Sequence, residues 1–360
     1  MSQSSENSRL SIIRIWLLIV AALVVGTLIV GGATRLTESG LSIVEWKPVT
    51  GVLPPLTEAQ WTVEFDKYKQ IPQYREVNRG MSLSEFKTIF WWEWAHRLLG
   101  RTIGVVFALP FLFFLWRGWV GPGLRGRLWL LFFLGGAQGA VGWWMVSSGL
   151  AERVSVSQYR LAFHMTLACV IYAAIIWTVT RLKPITPVTA PARLRTSAGF
   201  LVVLTLIQIY LGALVAGLDA GMTYNTWPLI DGAFVPAADR LWFETPLWRN
   251  LFENTLTVQF NHRMMAYLLL AFGIWHAIDV TRGTKDRAAK GLAHAFAFLL
   301  VVQAGIGIMT LLLLVPMSLA LLHQAMAIVL LTIATIHASR LLAHTQAAVP
   351  LVSVKAGTQG

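Results

Sequence analysis

Eight long apolar runs, separated by polar connections of unequal length, set the pattern of this chain. The first, residues 15–34, carries no charged side chain and follows Arg9 and Arg14. The others fall at roughly 94–116, 128–149, 160–180, 196–217, 255–278, 290–313 and 317–339. At a rise of about 1.5 Å per residue, each can cross a hydrocarbon layer about 30 Å thick as an α-helix. The pattern predicts an all-α polytopic membrane protein with eight transmembrane helices. The first run is too long for a signal-peptide core and lacks a small-residue cleavage site, so it is expected to remain as a helix.

The connections set the expected orientation. Basic residues cluster in the short loops: Arg117, Arg125 and Arg127; Arg181, Lys183, Arg193 and Arg195; Arg282, Lys285, Arg287 and Lys290. The alternate connections are balanced, acidic or nearly uncharged. Lysine and arginine accumulate on the cytoplasmic side, so both termini are expected there, with the long loops 35–92 and 218–254 outside. The short segment before the first run favours a bacterial inner membrane over a transit-peptide route.

Composition agrees with this reading. Of 360 residues 56% are hydrophobic and 13% charged, with a mean hydropathy of +0.62, against about 45–50% and about 25% for soluble domains. The net charge of +12 resides in loops, so it does not point to nucleic acid. The single cysteine, Cys169, excludes an intrachain disulfide, a cysteine-ligated cluster and covalent haem attachment through a CxxCH pair.

The chain also repeats itself. Gly40, Trp46, Gly51 and Pro55 share their spacing with Gly221, Trp227, Gly232 and Pro236. FWWEWAHRLLGR, residues 90–101, is echoed by QFNHRMMAY at 259–267. Three odd-numbered runs share Gln-x-x-x-Gly, as Gln138/Gly142, Gln208/Gly212 and Gln303/Gly307. There the glycine permits close helix approach and the amide can bond between helices, or either can touch a ligand. Two tandem pseudo-symmetric four-helix bundles follow, 1–190 and 191–360, in one orientation, which argues against an inverted-repeat transporter plan.

Of the eight histidines, His96, His164, His262 and His323 lie near the outer ends of the even-numbered runs. His276, His294, His337 and His344 lie toward the other side and read as hydrogen-bonded core residues. The outer four match in pairs across the repeat. Two imidazoles on neighbouring helices at one depth suit bis-histidine ligation of a haem iron. Zinc or copper would lack the usual thiolate or clustered carboxylate partners. The halves differ three residues before the first histidine, at Glu93 and Gln259. A carboxylate can accept a proton or stabilise positive charge, whereas an amide only hydrogen-bonds. This predicts reaction in the first half and a fixed cofactor in the second. Glu93 could equally be an ion-pair partner of Arg97, and Arg97, Arg101 and Arg263 could hold haem propionates or snorkel to water.

The segments 31–55, 93–101, 138–150, 163–168 and 261–267 together resemble the haem A synthase family, over nearly the whole chain. The resemblance implies oxidation of a methyl group of haem O to a formyl group through hydroxylated intermediates, for cytochrome oxidase. It implies haem b on His262 and His323, substrate haem O between His96 and His164, and Glu93 as the essential acid. Partners implied are an electron donor protein, a haem O synthase, oxidase assembly factors and membrane lipid. The outer-loop cysteine pair of many relatives is missing, so no thiol step carries over, and Cys169 is expected to be a core residue. Two rival readings are a di-haem b-type electron-transfer cytochrome and a haem carrier for oxidase assembly.

Overall fold

The computed structural model describes residues 3–183 and 188–343. Eight of its helices are long and apolar enough to cross a membrane. They are α1 (Gln3–Leu36), α2 (Leu83–Trp116), α3 (Pro122–Ser147), α4 (Gln158–Arg181), α5 (Ala192–Gly217), α6 (Thr255–Gly283), α7 (Arg287–Leu312) and α8 (Met317–Leu341). Among the described residues the only β-type pairing is one isolated bridge, Ile230 with Ala233. The eight apolar runs lie inside these helices to within two residues, and the chain is a multi-pass membrane protein.

Helix α2 begins well before its apolar run, because a capping box starts it. The Ser82 hydroxyl accepts from the Glu85 N–H, and the Glu85 carboxylate accepts from the Ser82 N–H at 2.7 Å. The added turns carry Phe86 and Phe90 into an aromatic cluster with Trp61, Phe65 and Tyr68. Those three residues belong to a helix within the first long loop, Glu58–Tyr68, itself started by a Thr57/Gln60 capping box. The loop is therefore a small folded cap with its own core. Beside it, Lys47 and then Lys67 hold the Glu45 carboxyl below its usual value.

Helices α1, α2, α3 and α4 form one ring of neighbours, with α1 also packed on α4; α5, α6, α7 and α8 form another, with α5 packed on α8. In each ring the second and fourth helices stand diagonally and are not packed neighbours. The rings meet along α4–α5, α4–α8 and α1–α8. Apolar burial gains little between helices in lipid, so polar links there carry weight, each about 1 kcal/mol. The Gln324 amide donates to the Leu28 carbonyl at 2.6 Å. Tyr172 and Thr332 share a hydrogen bond of 2.8 Å, as do Thr180 and Ser339.

His276 and His337 meet through their Nε2 atoms at 2.8 Å, with the Ser197 hydroxyl on His276 Nδ1. His294 bonds Thr281. His276 and His337 are the hydrogen-bonded core histidines that their sequence positions suggested; His294 is not, since its ring lies on the exposed face of α7, and His344 lies outside the described residues. Cys169 is buried in the largest apolar core, as expected.

Candidate functional site

Each of the four remaining histidines sits on a glycine of the helix just before it. A Cβ added at Gly31 would lie 2.6 Å from His96 Cε1; at Gly142, 3.0 Å from His164 Cε1; at Gly212, 3.0 Å from His262 Cε1; at Gly307, 2.7 Å from His323 Cε1. No larger residue leaves the rings where they are. Each glycine lies five residues before the end of its helix: 36 − 31, 147 − 142, 217 − 212 and 312 − 307. The repeating unit is thus a helical hairpin, present four times, and it brings all four rings to the end that carries the long loops.

The polar contacts of the rings also repeat, with one variation. His96 Nδ1 lies 3.1 Å from the Thr27 carbonyl. The Gln138 amide nitrogen donates to the His164 carbonyl at 2.9 Å, and the Gln208 amide nitrogen to the His262 carbonyl at 3.1 Å; each lies 3.1 Å from its histidine's Nδ1. Gln303 Nε2 donates to the His323 carbonyl at 3.0 Å.

His96 and His164 stand on the diagonal helices of the first ring, and His262 and His323 on those of the second. The members of each pair lie within electrostatic range of one another. All four rings are half-buried, whereas His276 and His337 are 0% and 1% exposed. The four rings line space that the other pair has closed. Buried donors without acceptors among the described residues lie one turn or so from the seats, on Trp94 Nε1, Arg101 Nη1 and Arg263 Nε. Paired imidazoles across a gap, with spare cationic donors at its mouth, fit a haem with its propionates toward the loops.

Glu93 is 3% exposed and fully bonded. Its Oε2 accepts from the Ser42 hydroxyl at 2.8 Å and the Ile43 N–H at 2.7 Å; its Oε1 accepts from Arg97 Nε and Nη2 at 3.0 and 2.6 Å. Arg97 also donates to the Ile43 and Glu45 carbonyls, and Arg101 to those of Lys47 and Pro48. Successive turns of α2 thereby staple the first long loop. The ion-pair alternative for Glu93 is the geometry found, and two of the four Arg97 hydrogen bonds go to the loop.

The second half builds the same staple with different polarity. Gln259 Oε1 accepts from Arg263 Nη2 at 2.6 Å, while its Nε2 donates to the Ala220 carbonyl at 2.7 Å. Arg263 Nη2 donates to the Tyr224 carbonyl, the repeat counterpart of Ile43. The first loop thus offers Glu93 donors, and the second offers Gln259 an acceptor. The acid–amide difference matches what each loop presents.

The repeated loop motif diverges in detail. Gly232 holds φ +81°, in the left-handed region, while Gly51 makes room for Arg101, whose Nη2 lies 2.7 Å from where a Cβ would be. Trp46 packs on Trp143 and Trp227 Nε1 donates to the Tyr267 hydroxyl. Sequence reasoning missed Ser42, Thr27 and Gly31. Gly31 escaped because Thr27 stands where the other three hairpins have glutamine; a glycine five residues before a helix end would have found it.

A model of the COX15-CtaA family, described as cytochrome oxidase assembly protein, matches residues 14–335. The chain belongs to that family. The matched region contains every seat from Gly31 to His323. The chain is 60% identical over 349 residues to a protein named heme A synthase from Rhodopseudomonas palustris (strain HaA2), with 97% of this chain and 95% of that one covered. To the heme A synthase of Bradyrhizobium diazoefficiens it is 63% identical over 335 residues, 93% of each chain. The heme A synthase of Bradyrhizobium sp. (strain BTAi1 / ATCC BAA-1182) is 59% identical over 362 residues, the whole of both.

Proposed function

We propose that this chain is a haem A synthase, oxidising one methyl group of haem O to a formyl group through hydroxylated intermediates and so supplying haem A to cytochrome oxidase. The observation that carries the reading is the set of four half-buried imidazoles, paired across the diagonals of two rings, with a carboxylate beside only His96. The first half, 1–190, takes the substrate haem between His96 and His164. The second, 191–360, holds haem b between His262 and His323, which supplies electrons passed on from a donor protein. Arg263 Nε and Arg101 Nη1, two of the unsatisfied donors, serve the propionates; Arg97, paired with Glu93, holds the loop at the first site.

Glu93 works by holding the outer loop over the first site, paired with Arg97. Its four donors occupy both carboxylate oxygens. The basic short loops support an inner-membrane orientation with both termini in the cytoplasm. Haem O synthase and oxidase assembly factors are the expected neighbours.

Pigment extraction from cells making this chain together with a haem O synthase tests the proposal. Haem A or its hydroxylated precursor under air, and neither without oxygen, is the expected result. Haem b alone under both conditions would overturn it in favour of an electron-transfer cytochrome or a haem carrier.

A further inference from the structure

Arg14 stands at the start of the first apolar run, at the end of the bundle away from the long loops. It makes no ion pair or side-chain hydrogen bond among the described residues, and its Nε is buried without an acceptor. An arginine at a membrane edge ordinarily snorkels to water, which gives no reason for a bare nitrogen under cover. A donor in that position needs an anion.

The same residue begins a groove of about 380 Å³ where α1 and α4 of the first half meet α8 of the second. Leu18, Ala22 and Val25 continue from Arg14 along one face of α1 at helical spacing, and Leu18 and Ala22 are exposed. No acidic side chain lines the groove, and at its deep end the hydrogen bond between Tyr172 and Thr332 joins the halves. From Arg14 to Val25 is a rise of about 16 Å, at about 1.5 Å per residue, and one leaflet's share of a hydrocarbon layer of about 30 Å is about 15 Å. The groove thus runs from headgroup depth to the middle of the bilayer. The other half has no such opening on α5. With Gly31 and Gly212 setting the register, Val202 and Val203 stand where α1 has Ala21 and Ala22. Val202 packs into the apolar cores, whereas the smaller side chains leave space on α1.

We propose that this groove binds one anionic phospholipid of the leaflet away from the long loops, with its phosphate on Arg14 and an acyl chain along Leu18, Ala22 and Val25, so that a lipid fills the join between the halves. A phosphate supplies the acceptors that the guanidinium lacks. Because the groove offers no carboxylate to a choline or ammonium group, a headgroup of net negative charge is favoured over a zwitterionic one. The site is independent of the haem reading.

Native mass spectrometry of the full-length protein, exchanged from detergent into equal amounts of phosphatidylglycerol and phosphatidylcholine with the same chains, tests it. The native protein is expected to retain phosphatidylglycerol preferentially, with about fivefold weaker retention in Arg14→Gln and partial recovery in Arg14→Lys. Ala22→Phe fills the groove but keeps the charge, and should lower retention of both lipids. Arg117→Gln removes an exposed cation outside the groove at the same end of the bundle, and should leave retention unchanged. Equal retention of the two lipids by the native protein would overturn the assignment without recourse to any variant. Undiminished retention in Ala22→Phe would overturn it too, as would a loss in Arg117→Gln that matches the loss in Arg14→Gln.

Discussion

Replacing Glu93 with glutamine tests the staple of the first loop directly, because the amide that serves the second half is the wrong partner in the first. One carboxylate oxygen becomes an NH2 group, which cannot accept. If it faces the loop, the Ile43 N–H meets a donor; if it faces α2, Arg97 does. A stranded buried N–H costs about 1–3 kcal/mol, and removing one charge from a buried pair costs about 3–5 kcal/mol. Arg97 is 13% exposed and keeps two carbonyl acceptors, so part of the second cost is recovered. The expected loss of loop attachment is about 3 kcal/mol, or roughly a hundredfold in local opening. Amide hydrogen exchange across residues 40–46, with 221–227 as the internal control, reads this. The first loop should lose protection and the second should not, while haem A output stops and haem b remains. Ser42→Ala, which removes one of the four donors, should give about 1 kcal/mol of the same effect. Wild-type protection in Glu93→Gln with haem A output lost would refute anchoring and return the carboxylate to direct chemistry on the substrate. Unchanged haem A output would remove Glu93 from the reaction altogether.

Other consequences are as direct. His262→Ala should lose haem b and His96→Ala should keep it, measured as haem b per polypeptide; the reverse outcome would exchange the roles of the halves. Gly31→Ala should impair haem O binding while leaving haem b intact, since the new Cβ stands 2.6 Å from His96 Cε1, whereas Gly26→Ala, with open space around it, should do neither. Gln259→Glu would set a carboxylate oxygen against the Ala220 carbonyl, so it should raise hydrogen exchange in 221–227 instead of improving the site. Arg249, and after it Tyr159, hold the Glu253 carboxyl below its ordinary value of 4.5. A lowered folded-state value means stabilisation present above the ordinary value and lost as pH falls through the folded one. The thermal midpoint should therefore fall more steeply below about pH 4.5 in the native protein than in Glu253→Gln; parallel curves would remove Glu253 from acid stability.

The helices were legible because lipid imposes a length on each apolar run and leaves no room for other backbone structure. The start of α2 was not, because its first turns are set by Ser82 and Glu85 and by burial of Phe86 and Phe90, which hydropathy does not register. The histidine pairs were legible from the duplication alone. The glycine seats were half visible: the Gln-x-x-x-Gly spacing marked three of them, but the fourth has Thr27 where the others have glutamine. The contacts of Arg97 were hidden for a related reason. Its acceptors at Ile43 and Glu45 are main-chain atoms some fifty residues away, and their direction depends on how the loop folds.

That hidden contact changes what the Glu93/Gln259 difference means. From sequence, an acid in one half and an amide in the other indicates chemistry in the first. In the structure each side chain complements its own loop: two donors on one side, one carbonyl on the other. Glu93 neutralises Arg97 in the first half, while Gln259 leaves Arg263 without a carboxylate partner in the second; Arg101 and Arg263 each keep one unsatisfied donor, so each half retains a cation that can meet a carboxylate. The acid–amide difference then follows from what each loop presents, and proton transfer by Glu93 is not required to explain it.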